Sequence, residues 1–151
     1  DGMQLAESVP TSIYYGKLFG QYPRDPKAAH TMELILAKYG DVFAALGSAH
    51  FAKDDHDAQV TKAIEETAGA FIAMLEPMLA KSTFICGDKL TVVDFWVGAM
   101  YCDKATNMKN DAYSLSCWDK VLKKNPNFKR YGEAFKKENA AWLKKRPARA
   151  I

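Results

Sequence analysis

The chain has little of what would mark a disulfide-stapled, metal-bound or membrane-embedded protein. Its 151 residues include three cysteines, Cys86, Cys102 and Cys117. The number is odd and no two have CxxC spacing, which argues against a disulfide framework and for a reducing, cytoplasmic compartment. The three histidines, His30, His50 and His56, show neither HxxxH nor HExxH spacing, so no protein-bound metal is expected. No apolar run approaches the roughly 20 residues that cross a bilayer, and no membrane insertion is expected. The N-terminus lacks the basic-then-apolar pattern of a secretory leader. Alternating strand patterns are nearly missing, and there is no internal repeat or low-complexity stretch.

What is there reads as helix. The apolar fraction of 48% and charged fraction of 26% are those of an ordinary soluble globule. Residues 26–46 place Met32, Ile35, Leu36, Tyr39, Phe43 and Leu46 on one face. Residues 58–80 do the same with Val60, Ile64, Ala68, Phe71, Ile72, Leu75 and Leu79. Both are long amphipathic helices. A turn over Gly47-Ser48 and the polar stretch Lys53–Asp57 would fold them into an antiparallel hairpin. Further helices are predicted over Thr91–Asp103, Trp118–Lys124, Asn127–Glu138 and Ala140–Lys145, with residues 104–116 as loop.

The N-terminal stretch is different. Asp1-Gly2 is a turn signal. A helix over Thr11–Phe19 follows, closed by Gly20, with Pro10 tolerated in its first turn. Residues 21–25 read as a linker. Residues 1–20 therefore look like the last turn and helix of a unit that begins upstream.

The most specific string is Gly87-Asp88-Lys89-Leu90-Thr91-Val92-Val93-Asp94-Phe95. Thr91 is a good N-cap, and Asp94, three residues on, can reach back to the cap's own N–H to complete a capping box. Leu90 and Phe95 are placed for a hydrophobic staple. The run Phe95–Tyr101 is apolar nearly all round, as in a helix buried inside a domain. On these grounds Thr91 and Asp94 are structural.

The net charge of +3 conceals an asymmetry. Residues 119–151 hold 11 Lys/Arg against 3 Asp/Glu, and the rest of the chain 10 against 15. The basic third reads either as a solvated helical face or as a surface for an anionic partner. The helical spacing of Phe128, Tyr131, Phe135 and Trp142 favours the first, since these rings are placed to anchor helices and not to stack on bases. No nucleic-acid partner is expected.

The capping-box string resembles that of the helical C-terminal domain of glutathione transferases. Leu5-Ala6-Glu7-Ser8, then Ile13–Gly20, then Tyr22-Pro23-Arg24-Asp25-Pro26, is similar in order and spacing to the domain junction of sigma-like members. The closing segment Pro126-Asn127-Phe128-Lys129 with Trp142-Leu143 and Arg146-Pro147 resembles the final helices of that fold. The resemblance implies an all-α glutathione transferase C-terminal-like bundle over residues 23–151. It would be preceded, over residues 1–22, by the turn and terminal helix of a thioredoxin-like domain not contained in the chain.

The resemblance also implies site residues. Glu7-Ser8 matches the pair that holds the γ-glutamyl end of glutathione. Ser8 would meet its carboxylate at a helix N-terminus, and Glu7 would accept from its ammonium group. By its type alone, Ser8 reads as a plain helix cap. Glu33 falls where sigma-like members place a carboxylate that reaches the glutathione amine across the dimer interface; without the resemblance it is an exposed helix residue. The catalytic hydroxyl or cysteine, which lowers the pKa of the glutathione thiol, lies near the start of the thioredoxin-like domain, and no residue here corresponds to it. No catalytic residue is therefore assigned, and Cys86 and Cys102 are expected to be packed thiols.

Two functions follow from the resemblance. One is conjugation of glutathione, as co-substrate, to a hydrophobic electrophile by a homodimeric two-domain subunit. The other is a non-catalytic scaffold or interaction subunit of a larger complex.

Overall fold

A computed structural model describes residues 2–147. It contains eight α-helices and two π-helical segments among the described residues, and no strand; one isolated bridge, Phe84 to Gly87, closes a tight turn. The N-terminal helix α1 spans Ser8–Leu18, three residues earlier than its pattern suggests. Asp1, half of the first turn signal, and residues 148–151 lie outside the described residues.

Helix α2 spans Pro26–His50. The Asp25 side chain accepts the Ala28 N–H at 2.8 Å, and Pro26 occupies the first helical position, where its missing N–H costs nothing. The predicted turn at Gly47-Ser48 does not form. Neither residue removes a backbone donor, and Ala49, the next residue, is buried and holds the helix to the core. The chain turns instead after Phe51, with Asp55 at φ 48°. Only part of the expected α2 face is core. Val42 takes the inward position, whereas Phe43 is 62% exposed and Leu46 half-buried. Spacings of three and four from Tyr39 both satisfy a helical period, and packing selected the first.

The second long helix is continuous but not uniform. It comprises α3, His56–Thr61, a π-helical segment Lys62–Ala68, and α4, Gly69–Leu79. All seven apolar residues predicted for its inner face are buried. α2 packs along it, giving the antiparallel pair.

Helix α5, Val92–Met100, is the central one and continues as a second π-helical segment, Tyr101–Ala105. Val93 and Val97 are fully buried. Helix α6 spans Ala112–Lys124 and starts six residues before the predicted Trp118. Asp111 caps it by accepting the Ser114 N–H at 2.8 Å. Its first turn is mostly solvent-facing, so apolar periodicity does not announce it.

Helix α7, Pro126–Glu138, is capped from a distance. Glu76 of α4 accepts from the Phe128 N–H at 2.7 Å and from the Asn127 side chain at 2.9 Å. A carboxylate at this N-terminus also opposes the helix dipole. α7 crosses α5 closely. A Cβ at Gly98 would lie 2.5 Å from the Phe135 ring, and one at Gly132 would lie 2.3 Å from the Tyr101 ring. Phe128, Tyr131 and Phe135 are core residues as expected, but Trp142, on the short final helix α8, Ala140–Lys145, is 58% exposed. The six residues of α8 turn Leu143, and not Trp142, onto the core.

Candidate functional site

The capping box forms. Asp94 is fully buried and its carboxylate accepts from the Thr91 N–H at 2.8 Å and the Thr91 hydroxyl at 2.9 Å. It does more than cap: its second oxygen accepts the Ile85 N–H at 3.1 Å, fixing the turn before the helix. The Tyr131 hydroxyl donates to the Asp94 carbonyl at 3.3 Å, bringing in α7. Burial raises the Asp94 pKa, opposed by the Thr91 and Ile85 donors. Every hydrogen bond of this group is internal, so Thr91 and Asp94 serve as the junction of α5, α7 and the preceding turn.

The second feature is the start of α1. Glu7 closes the first helical turn, its carbonyl accepting the Thr11 N–H at 3.0 Å. Its backbone sits at φ 65°, ψ 126°, a conformation that L side chains rarely adopt. Such a conformation costs about 1–3 kcal/mol and is retained where surrounding structure or function demands it. No side chain caps this helix. Ser8 and Val9 therefore present backbone donors at an exposed N-terminus, where the dipole favours an anion. Glu7 and Ser8 are both exposed.

The third feature is Glu33 on α2. The Tyr22 hydroxyl donates to its carboxylate at 2.7 Å, and the Lys17 ammonium stands 4.7 Å from the Tyr22 ring centroid. The hydrogen bond to Glu33 is the main cause of the raised Tyr22 pKa. The Glu33 carboxylate is thus positioned by the segment joining α1 to α2. No hydrogen bond or ion pair links it to Glu7 or Ser8 among the described residues.

The periodicity of α2 did not reveal a fourth feature. Between α2 and α5 lies a cavity of about 570 Å³, walled by Phe43, Phe51, Phe95 and Trp96 and floored by Tyr39 and Met100. Its size and apolar lining suit a small hydrophobic molecule. The available sequence signal is the pair Phe43 and Phe51, eight residues apart; the helical period alone sets Phe43 on the core-facing stripe. Asp103 and Lys104 from the second π-helical segment add polar groups at its edge. Asp103 is engaged by Arg146.

The thiols are packed. Cys102 and Cys117 are buried and Cys86 is half-buried; burial pushes the Cys102 thiol up to about 11 and raises the other two. None has the depressed pKa of a nucleophilic cysteine. Among the described residues, no group of three or more His, Cys, Asp or Glu side chains is arranged to hold a metal ion, and no helix is long and apolar enough to cross a membrane.

No curated protein matches the chain. Residues 40–146, well over half of it, match the family described as "Glutathione S-transferase, C-terminal domain". The matched stretch contains the capping box, both π-helical segments and the residues of the α2–α5 cavity other than Tyr39, and its all-helical architecture is the one the sequence resemblance implied. The chain belongs to the glutathione S-transferase C-terminal domain family.

Proposed function

We propose that this chain is the latter part of a glutathione transferase subunit that conjugates glutathione to a hydrophobic electrophile. The observation that carries this reading is the start of α1. There a strained, non-glycine residue, Glu7, precedes an open helix N-terminus, and Glu7 and Ser8 are both exposed. That pairing of donor and acceptor complements an α-amino acid end, whose carboxylate would take the helix donors and whose ammonium would take Glu7. Glu33, held by Tyr22, would supply the second carboxylate for the ammonium across a homodimer. The α2–α5 cavity would receive the electrophile. The group that lowers the pKa of the glutathione thiol would come from a thioredoxin-like portion ahead of residue 1, with residues 1–22 as its end.

Retention on glutathione-agarose and conjugation of a chloronitrobenzene by the full-length protein test this reading. Turnover that weakens about five- to tenfold in glutathione affinity on Ser8→Ala supports it. Neither retention nor turnover overturns it in favour of a non-catalytic scaffold. The exposed Trp142 beside Lys144 and Lys145 on α8 is the feature that favours that second reading.

A further inference from the structure

A second cavity, of about 480 Å³, lies on the other side of the α2 C-terminus, between α2, α3 and α6. The residues common to its lining and that of the α2–α5 cavity are Leu46, His50 and Lys104. Leu46 and His50 stand one turn apart on the same face of α2, and Lys104 comes from the second π-helical segment. Three side chains therefore make the partition between the two cavities. We propose, resting on the conjugation reading, that the two cavities work as one site, and that the electrophile it takes carries a long, uncharged alkyl chain whose tail passes between these three residues.

Three observations support it. First, the partition is not pinned. Among the described residues, neither the His50 ring nor the Lys104 ammonium makes a hydrogen bond or ion pair. Asp103, the acidic neighbour of Lys104, is taken by Arg146. His50 is exposed and Leu46 half-buried, and such side chains exchange rotamers within nanoseconds. Beside them, a Cβ at Gly47 would meet nothing within 4 Å, so this turn of α2 has room around it. Second, apolar surface continues on both sides of the partition. Phe43 and Trp96 wall the first cavity, and Ile64 and Trp118 floor the second. Each methylene that leaves water for such a floor strengthens binding about three- to fourfold. Either cavity alone has the size of a modest small-molecule site, so a compact ring fills the first and a chain attached to it needs the second. Third, both π-helical segments contribute to the second cavity, Ala63 and Ile64 from the first and Lys104 from the second. A π-helical turn widens the helix at some cost in hydrogen-bond geometry, and such turns recur at functional sites.

The test compares the ethyl and octyl esters of 4-chloro-3-nitrobenzoic acid, both below their solubility limits, with the full-length protein. In each, the glutathione sulfur bonds to the ring carbon, chloride leaves with the bonding pair and the thiol proton passes to buffer, so only the chain differs. Ser114 lines the second cavity and not the first, and Ser114→Phe fills it. The octyl ester should exceed the ethyl ester in kcat/KM by about tenfold or more. Ser114→Phe should remove most of that ratio and leave the ethyl ester within about twofold of wild type. Displacement of N-phenyl-1-naphthylamine by the same esters, without glutathione, reads the chain preference apart from turnover. A preference in displacement that Ser114→Phe abolishes, with no turnover of either ester, would uphold the joined site and overturn the conjugation reading. A preference that Ser114→Phe leaves unchanged, or none in the wild type, would overturn the joined site. Thermal melts confirm that the variant is folded; if Ser114→Phe is not, Ser114→Leu replaces it.

Discussion

The carbonyl oxygen of Gln21 accepts the N–H of Val92 at 3.1 Å. The first turn of the central helix is therefore satisfied not only by its own capping box but by the segment that follows α1. The Gln21 N–H in turn donates to the Gly16 carbonyl at 2.7 Å, and Gly16 lies directly against Val92. This chain of contacts attaches α1 to the bundle, although much of its own surface, including Tyr15, Leu18 and Phe19, is exposed.

Gly16→Ala should loosen that attachment. A Cβ there would lie 2.2 Å from Val92 Cγ2, and valine is stiff about its first torsion. The expected loss is about 1–3 kcal/mol from overpacking, read as a lower midpoint in thermal unfolding. The double variant Gly16→Ala/Val92→Ala should recover part of it. Additive losses in the double variant would show that the two residues do not press on each other.

Asp94→Ala should cost more than an ordinary helix cap. The cap alone would account for on the order of 1 kcal/mol. Removing this carboxylate also strands the Ile85 N–H in a buried site, which costs roughly 1–3 kcal/mol more. A total near 3 kcal/mol is expected in urea unfolding, with no change in the affinity of any ligand. A loss no larger than that of Thr91→Ala would show that the Ile85 contact contributes nothing.

Tyr22→Phe tests whether Glu33 needs its partner. The variant removes the 2.7 Å hydrogen bond from an accessible site and should leave the melting temperature nearly unchanged. In the full-length protein it should raise KM for glutathione severalfold at constant kcat, and Glu33→Gln should do the same. An unchanged KM in both would remove Glu33 from the glutathione site.

The buried thiols make stability fall at alkaline pH. The Cys102 thiol is held up to about 11 in the folded state against roughly 8.5 in an unfolded chain. The folded state therefore keeps a proton that the unfolded state gives up, and unfolding is favoured progressively as pH rises between those values. Cys102→Ala should flatten this part of the stability profile. In the wild-type protein at pH 8, alkylation should reach half-buried Cys86 first, and Cys102 and Cys117 only on unfolding. Fast alkylation of Cys102 in the native state would contradict its packing.

The helices that bury a continuous apolar stripe were legible in the residues. So was the Thr91–Asp94 box, because a cap is written within four consecutive residues. Val60 through Leu79 on the second long helix needed only their spacing. The start of α6 and the true end of α2 were not legible. The first is exposed and carries no apolar period; the second runs through Gly47-Ser48 because burial of Ala49 outweighs weak helix propensity.

The sequence by itself determined an all-helical chain, its main core stripes, its principal cap and the family it resembles. These are local properties, set by backbone hydrogen bonding and by a period of 3.6 residues. Only the tertiary structure decided that Val42 goes inward while Phe43 faces a cavity, that Glu76 caps a helix fifty residues away, and that two π-helical turns open onto one pocket. Each of those depends on which helix packs against which, and a periodic pattern carries no record of its neighbour.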